Sequence, residues 1–339
     1  MRRYGRRVCV AFFFLVSILC FYRGGKAAGA VHRFCDMVTV RVENGISAEL
    51  AAEILEKKEE EEALYPVFWS EETGVSIKGE ASGREAEVSL LHVMGNAGIL
   101  FPSGNCLGTE DEKGCLLDRE TAEELFGFGN VIGQQILYGN RAYVIRGILE
   151  EEEHLMVIQT LETEEQVFLA VTVKDRQRQP GEIVRILEGK YGISGDTEEW
   201  ALFYGMAKAA LLLFPLAVSL WLLVWIYSRQ KAAVRKGEKL FWRCCFDICL
   251  LGICVGAAMQ IQIPQDMIPS TWSDFGFWSG LWKKKTEALS FLMEMKKASF
   301  QGSIQRAFFE SVLMGIFSLL LFFLAAFWIH IDAGVSKEE

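Results

Sequence analysis

The sequence predicts an α-helical membrane protein with four transmembrane helices and an α+β domain held outside the membrane. Three observations predict it. Apolar residues gather into a few long runs instead of spreading along the 339 residues. A polar block, 31–199, separates the first run from the rest. Charge divides the same way: the block holds 15 Lys/Arg against 34 Asp/Glu, while the whole chain carries only −9, so the flanking segments are basic. Basic flanks around an acidic middle suit an exported domain on spanning helices. They exclude nucleic acid as a partner, because the block would repel phosphate.

Residues 1–30 begin with MRRYGRR and continue with an uncharged run, Val8 to Tyr22. This reads as a cytoplasmic N-terminus and a first span. The basic start, the short run and Ala28-Gly29-Ala30 also fit a cleavable signal peptide. Arg23 and Lys26 stand where small neutral residues are usual at a cleavage site. A span wants about 20 apolar residues, so this one relies on flanking basic side chains snorkelling. Both readings stay open. The arginines place the N-terminus in the cytoplasm either way.

In the block, strands are expected at Met37–Val42, Pro66–Ile77, Glu87–Val93 and Val167–Val173. Helices are expected from Ser47 to about Lys58 and from Glu182 to Lys190, the second ended by Gly192. Strand, helix, strand, strand, a long insertion, strand, helix is the order of a split βαβ sandwich. The insertion, about 98–150, has its own signals. Asp118 caps a helix Arg119–Phe126 that Gly127 ends. Gln135–Tyr138 and Ala142–Ile145 flank Gly139-Asn140 as a hairpin. Glu110, Asp111 and Glu112 form an acidic, solvated turn ahead of them.

The second transmembrane helix is expected at 200–227, with no charge between Ala209 and Tyr227. Residues 228–243 hold six basic residues and only Glu238, the composition of a cytoplasmic loop. The third helix, 244–263, contains Asp247. Alternation places 264–310 outside. There Trp278, Trp282, Leu289, Met293 and Phe300 approximate one helical stripe, and Trp272 adds to a headgroup belt. That predicts a helix lying on membrane lipid, with a soluble loop as the alternative. The fourth helix, 311–331, is the most apolar, and 332–339 is a cytoplasmic tail. Runs of this length imply helices and not a barrel. The whole reads as a multi-pass plasma-membrane protein with both termini cytoplasmic.

Chemistry is sparse. GxxxxGK[ST], HExxH and GxSxG are absent, and His32, His92, His154 and His330 are scattered. The expectation is a protein that is not an enzyme, with no catalytic, cofactor or metal residues. Six of nine cysteines lie in or beside apolar runs; Cys35, Cys106 and Cys115 lie in the polar block. A Cys106–Cys115 bridge across the acidic turn is one reading if the block is exported. Free or buried thiols are the other.

One stretch carries a family resemblance. It contains Leu107-Gly108, Asp111, Leu116-Leu117, Ala122, Leu125-Phe126-Gly127, Ile132-Gly133-Gln134, Ile136, Gly139 and Tyr143-Val144-Ile145-Arg146-Gly147. With the order of spans, this resembles the MacB/FtsX-type permeases of ABC transporters and their MacB-like periplasmic core domain. The resemblance implies a permease subunit without its own ATPase, paired with a second permease subunit and a separate ABC ATPase. Such a subunit would transmit ATPase motion to its outer domain for export or release of a substrate. It also favours keeping the first span. In the family, the loop after the second span usually carries a Glu-Ile pair and an Arg/Lys-x-x-Gly-Ala pattern. Here SRQKAAVRKGEKLFWR lacks both. Arg235, Lys236, Lys239, Phe241 and Trp242 are then the residues left to dock on an ATPase. A membrane-anchored sensor or envelope interaction protein is the alternative function.

Overall fold

The structure is a computed structural model that describes residues 2–56, 64–101, 107–127, 130–150, 152–161, 165–260, 276–295 and 297–338. In chain order its elements are α1 (Arg2–His32), β1 (Met37–Ser47), α2 (Ala48–Glu56), β2 (Pro66–Gly79), β3 (Glu85–Met94), β4 (Gly114–Asp118) and α3 (Arg119–Phe126). Then follow β5 (Gln135–Tyr138), β6 (Arg141–Leu149), β7 (Leu155–Gln159), β8 (Val167–Lys174), α4 (Pro180–Tyr191) and β9 (Asp196–Glu199). The helices α5 (Ala201–Ala232), α6 (Lys236–Gln260), α7 (Phe277–Glu294) and α8 (Ser299–Glu338) complete it. Two compact units result: 1–29, 203–287 and 308–339 form a helical unit, and 30–202 with 288–307 form an α+β unit.

In the α+β unit, β8 runs antiparallel to both β1 and β2 and lies between them. β1 and β2 are therefore parallel strands split by a third, and β9 pairs the outer side of β1. The helices α2 and α4 make the crossovers. Side chains alternate along each strand. Val38, Val40, Phe68, Val171 and Val173 take one face and pack with Ala51, Ile54, Ile183 and Leu187 of the two helices. Thr39, Val67, Trp69, Ala170 and Thr172 take the other face, and all are buried.

Between β2 and β8 the chain builds a second body. β3 pairs β2 and β7, β7 pairs β4, β4 pairs β6, and β6 pairs β5. β5 returns to the end of β2 at Lys78 and Gly79, which closes a ring of six strands. Ile77, Val88, Leu90, Leu117, Ile136, Ile145, Met156 and Ile158 form its core together with Leu125 of α3. β2 serves both bodies, with an irregularity between Glu72 and Val75 where its direction changes. The insertion thus runs from β3 to β7 and is longer than the 98–150 expected, because β3 joins the ring and not only the parent sheet. β4, β7 and β9 are strands that the sequence pattern did not separate from loops. Asp118, expected as a helix cap, accepts from Thr121 N at 3.0 Å, and its second oxygen accepts from Leu155 N at 2.9 Å. One buried carboxylate joins β4, α3 and β7.

Among the described residues, three helices are long and apolar enough to cross a membrane: Val8–His32, Ala201–Ala232 and Ser299–Ile329. α6 is not among them. Its first half carries Lys239, Arg243 and Asp247, and the residues after Gln260 lie outside the described part. Three of the four expected spans are found this way. The first helix packs closely with the others: Phe14 lies 6.4 Å from Phe322 and Phe21 5.0 Å from Phe214, between ring centres. Ser17 Oγ donates to Ser318 O at 2.6 Å. A Cβ on Gly24 would stand 2.8 Å from Leu211 Cδ2, 3.1 Å from Met314 Cβ and 3.3 Å from Ser311 O, so a larger residue would require these neighbours to give way. The basic segment 228–243 is not a loop. α5 runs on to Ala232 and α6 starts at Lys236, leaving 233–235 as the turn.

Candidate functional site

The polar face of the parent sheet holds two charges that strand patterning does not explain. Arg41 lies two residues beyond Thr39 on β1, and Glu198 pairs opposite Thr39 on β9, so both share that face. Glu198 is 0% exposed. A buried carboxylate is costly unless paired and hydrogen-bonded, and here it is both. Arg41 Nε donates to Glu198 Oε1, and Gln301 Nε2 donates to Glu198 Oε2 at 2.8 Å. Arg41 Nη2 closes the triangle by donating to Gln301 Oε1 at 2.8 Å. The guanidinium carbon also sits 5.3 Å from the centre of the Trp69 ring, whose π face favours a cation. Trp69 Nε1 in turn donates to Thr172 Oγ1 at 2.9 Å.

Gln301 belongs to the first turn of α8, and that turn is held on every side. Gln301 Oε1 accepts from Ala298 N at 3.1 Å, the backward half of a capping box. Ser299 N donates to Glu71 Oε1 of β2 at 2.9 Å, so a sheet carboxylate satisfies one of the helix's orphan donors. Ser299 Oγ donates to Ser89 Oγ of β3 at 2.8 Å. Phe300 enters the core edge-on to Trp69 at 5.2 Å and to Phe101 at 5.5 Å. Farther along, Ser303 Oγ donates to Glu152 Oε1 at 3.1 Å, and Arg306 pairs with Glu153 at 2.6 Å. Phe300, read from the sequence as the end of an exposed stripe, is instead a buried core residue of this unit.

Burial raises the Glu198 carboxyl above its ordinary 4.5, against the pull of Arg41 and Gln301. Burial lowers the Lys297 ammonium, opposed by Glu198 and assisted by Arg41. The arrangement holds the first turn of α8 against the sheet through an ion pair and hydrogen bonds. Among the described residues, no three His, Cys, Asp or Glu side chains gather as they would around a metal.

The residues singled out for ATPase docking lie elsewhere. Arg235 is in the α5–α6 turn, and Lys236, Lys239, Phe241 and Trp242 lie in the first turns of α6. Trp242 packs edge-on to Trp225 of α5 at 5.6 Å, while Phe241 is 61% exposed. Arg229 lies over Trp225 at 5.2 Å and Lys231 over Tyr227 at 4.8 Å. These two cations and the rings beneath them precede the turn, in the last turns of α5. Cys115 is a free thiol, fully buried in the ring, and burial pushes it up to about 12. That supports its reading as a small apolar core residue; Cys106 lies outside the described residues. Asp111, in the acidic turn, accepts from Arg146 Nε at 2.7 Å, and that bond holds its carboxyl below the ordinary range.

The family model described as the MacB-like periplasmic core domain matches residues 8–186. Among solved structures, the periplasmic region of MacB from Actinobacillus actinomycetemcomitans is similar at 12% identity and a TM-score of 0.38. That likeness covers 48% of this chain and 86% of that one. The extracellular domain of the noncanonic ABC-type transporter YknZ from Gram-positive bacteria is similar at 14% identity and a TM-score of 0.35, covering 48% of this chain and 97% of that one. No curated protein matches the chain.

Proposed function

The chain belongs to the family of the MacB-like periplasmic core domain, and on that premise we propose that it is a permease subunit of a MacB/FtsX-type ABC transporter. In this reading a separate ATPase drives the subunit from the cytoplasm. The outer domain moves in response, for export or release of a substrate. A second permease subunit completes the assembly, and the chain itself catalyses no reaction. The helix α1 is a retained span, as its packing through Phe14, Ser17 and Phe21 favours. With α6 as a further span, both termini are cytoplasmic.

One observation carries the reading. The helix whose first turn is locked by Arg41, Glu198 and Gln301 is unbroken from Ser299 to Glu338, and it contains an apolar span. A helix transmits displacement along its axis with little loss. Forty residues at about 1.5 Å each make a rod of roughly 60 Å. The ATPase contact falls to the patch of Arg235, Lys236, Lys239, Phe241 and Trp242, joined by Arg229 and Lys231.

A membrane-anchored sensor remains the rival. It is favoured by the missing Glu-Ile and Arg/Lys-x-x-Gly-Ala pattern in SRQKAAVRKGEKLFWR. Co-purification separates the two. The tagged chain in mild detergent is expected to bring down a phosphate-loop ATPase, and Trp242→Glu is expected to abolish that recovery while the protein stays folded. Absence of any ATPase, together with an in vivo phenotype untouched by Trp242→Glu, sinks the transporter reading.

A further inference from the structure

β4 is shorter than β6 beside it, and the difference leaves a slot in the wall of the ring. β6 starts at Arg141, but its pairing with β4 begins only at Val144, opposite Gly114. On the other side, the pairing of β4 with β7 stops at Cys115 and Ile158. Arg141–Tyr143 and Gln159–Leu161 thus flank the line that β4 would follow if it began earlier. Neighbouring strands lie about 4.8 Å apart, so a missing strand leaves walls roughly 9.6 Å apart. A cavity of about 410 Å³ lies here, lined by those two stretches, with Glu112 and Lys113 at the end where β4 begins. Arg141 and Ala142 are exposed, so the slot opens to solvent.

The chain leading into β4 turns instead of continuing as a strand. Asp111 N donates to Gly108 O at 3.1 Å and Gly114 N to Asp111 O at 3.4 Å. A Cβ on Gly114 would stand 2.7 Å from both Asp111 Cγ and Leu107 Cδ1, so glycine lets the turn close against the start of the strand. Main-chain polarity in the slot follows from alternation. Val144 N donates to Lys113 O at 2.6 Å, on the β4 side, and Ile145 N to Gln134 O at 2.9 Å, on the β5 side. Ala142, two residues before Val144, therefore turns its N–H and C=O into the slot. Across from it, Thr160 N donates to Val93 O of β3 at 2.9 Å, so Leu161 after it turns towards the slot. The Gln159 side chain, 4% exposed, donates through Nε2 to Gly95 O at 2.8 Å. Its Oε1 has no hydrogen-bond partner among the described residues, although folded proteins ordinarily pair such groups.

We infer that the slot takes an extended segment of a partner protein, about three residues long, by strand addition. Recognition of this kind runs through the main chain, with side chains adding selectivity. An ordinary sheet edge offers a peptide one strand to pair with, whereas here β6 and β7 stand on both sides of it. Lys113 and Arg141 lie at the slot in a block that holds 34 Asp/Glu against 15 Lys/Arg. This local excess of cations favours a segment with an acidic side chain.

The inference rests on the sheet alone, so its failure leaves the permease reading untouched. The probe is the blocked peptide acetyl-Thr-Val-Glu-Val-amide, added to the intact chain in mild detergent. Hydrogen exchange at the Ala142 amide is the readout. At ten times its Kd the peptide is expected to slow that exchange about tenfold. The same peptide N-methylated at both valines, or at Thr and Glu, loses donors and strand spacing and is expected to protect nothing. A Lys in place of the Glu is expected to weaken binding about threefold at low salt and less at high salt. Ala142→Pro removes only the N–H that faces the slot. It is expected to abolish binding of a fluorescent form of the peptide, read by anisotropy, while Ala142→Gly keeps it. The peptide arms leave the protein unaltered, so they decide the matter even if Ala142→Pro folds poorly. Equal protection by the N-methylated peptides, or none by any peptide, overturns the inference. So does an Ala142 amide already as protected in the free chain as that of Ile145, which would mean that the chain itself or a second copy fills the slot.

Discussion

Replacing Gln301 by alanine removes the one side chain that touches Arg41, Glu198 and the backbone N–H of Ala298 together. Hydrogen bonds to charged groups contribute about 1.5–3 kcal/mol each. Two such bonds are lost, and water entering the space left by the amide restores part of the loss. A net cost of about 3 kcal/mol follows for holding the start of α8 in the sheet. At 1.4 kcal/mol per factor of ten, local opening becomes about a hundredfold more frequent. Native-state hydrogen exchange on the intact chain in detergent reads this directly over residues 299–307 and over β1 and β9. Ser303→Ala is the control. Its hydroxyl bonds Glu152 at the partly exposed edge and also its own helix, at Phe300 O, so its cost stays within about 0.5 kcal/mol and exchange rises about twofold. If Gln301→Ala raises exchange less than about threefold, the triangle is ornamental, and transmission through α8 loses its anchor.

Glu198 makes the same anchor pH-dependent. Its folded pKa is raised above 4.5 by burial, so the folded state binds that proton more tightly than the unfolded one. Its contribution is complete below the unfolded value and is lost as pH rises through the folded one. Exchange in residues 299–307, corrected for the intrinsic rate, should therefore rise with pH above 4.5 and flatten in Glu198→Gln; an unchanged slope in that variant refutes the assignment. Asp118→Ala loses a helix cap worth about 1 kcal/mol and leaves the N–H of Leu155 without its partner, for about 1–3 kcal/mol more. A fall in Tm of roughly 5–15 °C follows for a unit of this size, read by circular dichroism of the β signal, and a fall below about 2 °C would rule out its joining role.

Patterning reads elements well where one face is polar or a turn is marked by its own residues. The capped helix after Asp118 and the hairpin around Gly139-Asn140 carry their signals within a few residues, and both form at those positions. β4 and β7 escape because they are five residues long and buried on both faces, so no alternation distinguishes them. β9 reads Asp-Thr-Glu-Glu and looks solvated, yet its Glu198 is fully buried. The site itself was illegible for a related reason. Its members lie on β1, β9 and α8, with Glu198 and Gln301 103 positions apart, and no local rule brings them together. Arg41 between Val40 and Val42 was the available hint: a cation inside an apolar strand asks for a partner.

Gln301 and Phe300 are made long after the sheet that receives them. At about 5–20 residues per second, the ribosome needs roughly 5–20 s to pass from Glu198 to Gln301. During that interval the strands are complete, but Arg41 and Glu198 lack their Gln301 partner and Trp69 lacks its contact with Phe300. The domain therefore finishes folding only after the segment leading into the last apolar helix has been synthesised and delivered to the same side. A fragment ending at Glu199 would be born with its inner face open, whereas one carrying residues 288–307 in tandem would close it. Biogenesis, and not only the mature subunit, depends on the two halves of the chain meeting.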